Sequence, residues 1–221
     1  MTSWGDAGSA GPLFAATIGL LGLILSPLSE LLIAKTLPRV GPLPGWRARI
    51  TTALITAVLC AAFAFRVGAA SALPAFILLI VLGVQLARID VALHLLPNPV
   101  VLSLLVGGLL CFLGATFRGE QWASLARAVA GAAILFVIYL ILALISPAGL
   151  GMGDVKLAAP VGLYLGYLGW TQLLYGGLLG FILNGLVTAL VMSRNRPQRT
   201  SEVAHGPSMI GTAAGIWLLF F

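Results

Sequence analysis

The chain has 221 residues, 60% of them hydrophobic and 8% charged, with a formal net charge of +6 and a mean hydropathy of +1.10. A soluble domain of this length does not carry so little charge, whereas repeated apolar runs near 20 residues match the hydrocarbon thickness of a bilayer. Their hydrophobicity is continuous rather than alternating, which excludes a β-barrel and leaves an all-α, polytopic membrane protein.

In chain order the apolar segments predict eight spans, over 12–34, 50–66, 72–89, 98–117, 125–146, 156–170, 172–192 and 208–221. The first is too long for a removable signal peptide and lacks a basic leading segment. The sixth is short and holds Pro160 and several glycines. No soluble domain or internal repeat interrupts the pattern, so residues 1–221 read as one membrane domain. Within it, 12–49 form the first helix and a short link, and 50–221 form the core.

Lys and Arg favour cytoplasmic connections. With the N-terminus outside, the cytoplasmic side holds Lys35, Arg39, Arg47, Arg49, Arg88, Lys156, Arg194, Arg196 and Arg199, against Arg66, Arg118 and Arg127 opposite. The positive charge is therefore a topology signal. No basic face on a soluble module exists that would bind nucleic acid. Cys60 and Cys111 lie inside apolar spans without paired spacing and read as small buried hydrophobes, not as metal ligands or a disulfide.

Six acidic residues make the search for chemistry short. Asp6 and Glu120 read as solvated, Glu202 as paired within its Arg-rich loop, and Glu30 as a partner for Lys35. Asp90 and Asp154 remain, and an ionisable group at membrane depth needs a partner, water or a function. In "RIDVALHLLPNPV" Asp90 ends the third span, four residues before His94 and near the turn signal Leu96-Pro97-Asn98-Pro99. Taken alone it could be an interfacial carboxylate paired with Arg88. In "GLGMGDVKLAAP" Gly149, Gly151 and Gly153 predict irregular backbone or close approach ahead of Asp154. Taken alone, Asp154 could cap the next helix, with Lys156 a topology charge.

Together the two segments end cytoplasm-facing helices, so both carboxylates can reach one site. Two carboxylates held close cannot both ionise, and the pair can serve as acid and base on a shared water. Competing chemistries lack their motifs: there is no H-E-x-x-H zinc helix, no G-x-S-x-G elbow, and His94 and His205 are the only histidines.

These residues resemble the type IV prepilin peptidases, bacterial intramembrane aspartyl proteases of the G-x-G-D class. "GMGDVKLAAPVGLYLG" resembles their G-x-G-D-x-K-L signature, and "DVALHLLPN" resembles their other signature, an aspartate seven residues before a proline. The two aspartates are 64 residues apart (154 minus 90), and "HGPSMIGTAAGIWL" resembles the Gly-Pro segment that opens the last helix. The resemblance implies Asp90 and Asp154 as the catalytic pair, with Gly151, Gly153 and Lys156 as a supporting loop and no cofactor or metal. It also implies prepilin or pseudopilin substrates, the bacterial inner membrane as the location, and an active site facing the cytoplasm.

One departure concerns the link from Lys35 to Arg49. It is about fifteen residues long and holds no cysteine, where many members carry a cysteine-rich, zinc-binding insert associated with N-methylation. Glu30 stands where an Asn is usual. A peptidase without the methyltransferase activity is expected. The alternatives are a presenilin-like or signal-peptide-peptidase-like protease and, in another class, a proton-coupled transporter. The first usually has Tyr before its first aspartate, where this chain has Ile89; the second often shows inverted repeats, and none is visible.

Overall fold

A computed structural model of the chain describes residues 11–41, 43–145, 150–194 and 206–220. Among the described residues there are eight α-helices and no strand: α1 (Pro12–Thr36), α2 (Trp46–Val67), α3 (Leu73–Leu93), α4 (Asn98–Phe117), α5 (Trp122–Ile145), α6 (Met152–Leu168), α7 (Trp170–Arg194) and α8 (Gly206–Phe220). The first five are long and apolar enough to cross a membrane, which makes this a multi-pass helical membrane protein. Asp6, Gly149, Arg196, Arg199, Glu202 and His205 lie outside the described residues.

Several helices run further than hydropathy predicts, and two of the extensions matter for the site. α3 continues past the expected end at 89 and carries Asp90 in its last turn. α6 starts at Met152, so Asp154 stands in the first turn of a helix rather than in irregular backbone. Hydropathy undercounts such ends because their polar residues lower the average while intrahelical hydrogen bonds still form there. Gly151 and Gly153 also avoid the left-handed range of φ; among the described glycines only Gly41, Gly68 and Gly119 adopt it.

α6 is the central helix. Its residues from Pro160 to Tyr167 are all buried, with α4, α5, α7 and α8 around it. A short helix enclosed by neighbours needs small residues where backbones cross, since lipid supplies no hydrophobic drive to bring helices together. The α5–α6 crossing shows this. A Cβ on Gly162 would strike the Gly131 carbonyl, and one on Gly166 would come 2.6 Å from the Arg127 carbonyl oxygen. Arg127 then closes the far end of α6, its Nε donating to the Gly166 carbonyl at 2.7 Å and its Nη2 to the Tyr167 carbonyl at 2.8 Å. These are carbonyls of the last helical turn, which would otherwise lack partners. Beside α6, Phe76, Phe112, Tyr164 and Tyr167 form an aromatic core, with the Phe112 and Tyr167 rings stacked 3.9 Å apart.

α1 and α2 cross in the same way, Gly22 lying against Cys60, whose side chain is fully buried as a small hydrophobe. Cys111 is half-buried, and both thiols are free. Glu120 is not simply solvated: it accepts a 2.8 Å hydrogen bond from Ser71 Oγ, joining the connections at one end of the bundle.

The expected Glu30–Lys35 pairing is replaced by a buried cluster. Glu30 is 1% exposed; Arg49 Nε lies 3.2 Å from Oε2, and Arg88 Nε 3.9 Å from Oε1. Thr52 donates to Oε1 at 3.0 Å, Arg88 donates to Gln85, and Gln85 donates to Ser26. Lys35 sits five residues further along α1 with its side chain exposed, whereas the two arginines face Glu30 from α2 and α3. The carboxylate thereby ties three helices together. Removing one member of a buried ion cluster costs more than the cluster contributes, because the remaining charges lose their partner. Glu30→Ala is expected to destabilise the protein by roughly 2–4 kcal/mol, toward the lower end because Arg49 is partly solvated. Lys35→Ala should leave the melting temperature in detergent unchanged, and thermal unfolding of the two variants measures the difference.

Candidate functional site

α3 ends because Pro97 and Pro99 follow closely and the residue before a proline avoids helical geometry. His94 closes the helix in the left-handed region, φ 51° and ψ 40°, its amide donating to the Asp90 carbonyl at 2.8 Å. The fold therefore places His94 at the helix cap, one residue past the helical run.

The Asp90 side chain is 5% exposed. Its Oδ2 accepts a 2.9 Å hydrogen bond from the backbone amide of Gly206, the first residue of α8. The alternative partner, Arg88, is turned away toward Glu30 and Gln85.

Asp154 stands at the third position of α6, where the N-terminal partial charge of a helix favours a carboxylate. Gly151 precedes the helix in extended geometry, φ −72° and ψ 146°, and its carbonyl accepts the Asp154 amide at 3.0 Å. Gly153 fulfils the expectation of close approach, since a Cβ there would lie 3.2 Å from Leu96. Leu96 also lies 3.4 Å from the position of a Cβ on Gly206. One leucine from the α3–α4 connection thus touches the starts of both α6 and α8.

Three helix ends therefore converge on Leu96: the end of α3 with Asp90, the start of α8 with Gly206, and the start of α6 with Gly153 and Asp154. In the sequence Leu96 stands out only as part of a turn signal, and Tyr139 not at all. Tyr139, 1% exposed on α5, lies level with Asp154. The antiparallel register explains why: Gly131 faces Gly162 and Arg127 faces Gly166, so Tyr139 faces Asp154. That register was present in the sequence only as glycine spacing on two adjacent helices. Lys156 is exposed and takes a different partner, its Nζ donating to Asn98 Oδ1 at 3.0 Å. It joins the start of α6 to the start of α4. Among the described residues no three of His, Cys, Asp and Glu gather as a metal would require.

Two carboxylates gathered at helix ends, Asp90 buried and Asp154 half-buried, can pass a proton between them and activate a water. Comparison with known proteins adds to this geometry. The model of the type IV leader peptidase family matches residues 75–192, a stretch that contains both aspartates. A prepilin leader peptidase/N-methyltransferase of Dickeya chrysanthemi is 40% identical over 126 residues, which are 56% of this chain and 43% of that protein. The chain thus spans less than half the length of this curated relative. No solved structure matches.

The Lys156–Asn98 contact is exposed and is expected to be weak. A double-mutant cycle with Lys156→Met and Asn98→Leu, read by thermal unfolding, should give a coupling of about 0.5–1 kcal/mol.

Proposed function

The chain belongs to the type IV leader peptidase family, and from that premise we propose that it is an aspartic endopeptidase that removes the short leaders of prepilins or pseudopilins. Asp90 and Asp154 are its catalytic pair. The observation that carries this reading is that Leu96 packs against both Gly206, whose amide binds Asp90, and Gly153, the neighbour of Asp154, which gathers at one place the only two acidic residues of the family-matched stretch besides Glu120 in a distant connection. The likeness to a prepilin leader peptidase over 56% of the chain supports the same substrate class.

In this reading the protein crosses the bacterial inner membrane eight times with its N-terminus outside, and residues 50–221 form the peptidase core. The short, enclosed α6 is one of the spans. A precursor presents a basic leader followed by an apolar helix. The apolar helix lies among the enzyme's helices, which leaves the scissile amide at the cytoplasmic face beside both carboxylates. A water between Asp90 and Asp154 attacks the carbonyl carbon; the ionised carboxylate takes its proton while the protonated one donates to the carbonyl oxygen. As the C–N bond breaks, the carboxyl that gained the water's proton gives it to the leaving amine, and the other takes a proton back from the tetrahedral hydroxyl, restoring the pair. Gly151 and Gly153 let the start of α6 approach Leu96 and the α3–α4 connection, and Lys156 holds that connection through Asn98.

Between α1 and α2 the chain has only residues 37–45, with one short 3-10 turn at Pro38–Val40 and no cysteine. This favours cleavage without N-methylation, although the Dickeya relative is named for both activities.

Asp90→Asn and Asp154→Asn should each reduce leader cleavage by well over about a hundredfold, as loss of a general acid or base does, while the protein still inserts in the membrane. Co-expression with a precursor and sizing of the product by mass reads both the cut and any added methyl group. Wild-type cleavage by either variant would overturn the assignment. Cleavage of a signal peptide in place of a prepilin would favour the presenilin-like alternative.

A further inference from the structure

The family-matched stretch ends at residue 192, yet the hydrogen bond to the Asp90 side chain comes from beyond it, at the start of α8. The first amides of any helix have no partner inside that helix and must find one elsewhere. Here the Gly206 amide finds the Asp90 carboxylate at 2.9 Å, so the side chain from α3 serves as the N-terminal cap of α8. The approach tolerates no side chain. A Cβ on Gly206 would lie 2.7 Å from Asp90 Oδ2 and 3.3 Å from its carboxyl carbon, and Leu96 closes the remaining side at 3.4 Å. Gly206 itself is buried. The other glycines of α8 differ, for a Cβ on Gly211 or Gly215 would meet nothing within 4 Å.

We infer that Gly206 is a positioning residue for Asp90, and that α8 is thereby a working part of the proposed active site rather than a peripheral helix. The inference rests on the proposed aspartic chemistry and adds to it the group that orients one of the two acids. A backbone donor on a helix start is fixed in direction and favours the ionised carboxylate. The other charges around Asp90 are few. His94 follows it on its own chain segment, Asp154 faces it from α6, and Arg88 is engaged by Glu30 and Gln85. Arg49, from α2, is held by Glu30, and neither α4 nor α8 carries a charged side chain. The Gly206 amide is therefore the one directional donor to the Asp90 carboxylate among the described residues.

The test uses the full chain in membranes with a prepilin-type precursor, comparing Gly206→Ala with Gly211→Ala and Gly215→Ala. Gly206→Ala should lower kcat at least tenfold with KM within twofold. Losing a donor to the ionised form favours the protonated form, so a higher pH is needed to ionise the carboxylate. The acid limb of the pH profile should move up by about one unit, the shift expected from one charge-assisted hydrogen bond. The two control variants should stay within twofold of wild type. A Gly206→Ala enzyme that matches the controls, or loses rate with an unmoved acid limb, overturns the inference.

Should Gly206→Ala not accumulate, hydrogen exchange at the Gly206 amide decides. Exchange should be slow in wild type and in Asp90→Asn, whose side-chain oxygen still accepts, and at least tenfold faster in Asp90→Ala. Equal exchange in all three overturns it. An Asp90→Asn enzyme that cleaves normally would instead sink the peptidase reading itself, so the two failures are distinct.

Discussion

A hydrogen bond of 2.9 Å from the Gly206 amide to the Asp90 carboxylate joins the end of one helix to the start of another, and the geometry of the candidate site follows from it. In a lipid environment unpaired backbone groups are expensive, so helix ends inside a protein seek polar partners. An acid placed beside such an end meets that need and is itself held in one orientation. α6 repeats the device within a single helix, with Asp154 in its own first turn. Chemistry gathers at the helix ends because that is where a membrane protein must already spend its few polar groups.

The buried cluster around Glu30 does comparable work without a visible chemical role. One carboxylate faces two guanidiniums, a hydroxyl and, through Arg88, an amide, and together these lock α1, α2 and α3. Since Asp90 lies two residues after Arg88, this lock also limits rotation of the α3 end. The site thus has support from two directions: ion pairing behind α3 and the α8 amide in front of it.

Much of this was legible in the sequence because hydrophobic runs and rare acids are both strong signals in an apolar chain. The five helices long and apolar enough to cross a membrane all coincide with predicted spans, and Asp90 and Asp154 stand out because so few other acids compete with them. The errors cluster where tertiary contacts decide. The helical start at Met152 depends on packing of α6 between its neighbours, which lowers the cost of a helix begun by glycines. Glu30 chose Arg49 and Arg88 over Lys35 because partners from other helices are nearer in space than in order. Tyr139 escaped notice since its relation to Asp154 is a matter of register, which hydropathy does not encode. Gly206 was noticed only as part of a motif, and its amide carries no mark in the residue alphabet.

The Gly131–Gly162 crossing and the Arg127 clamp fix the sliding position of α6 from the end opposite Asp154. From Asp154 to Gly166 the helix rises roughly 18 Å, at 1.5 Å per residue. A helix is stiff along its axis, so any slip at that remote anchorage arrives at the carboxylate almost undiminished. Damage to a glycine on the far lip of the bundle would then masquerade as a chemical lesion, although no reacting atom had been touched.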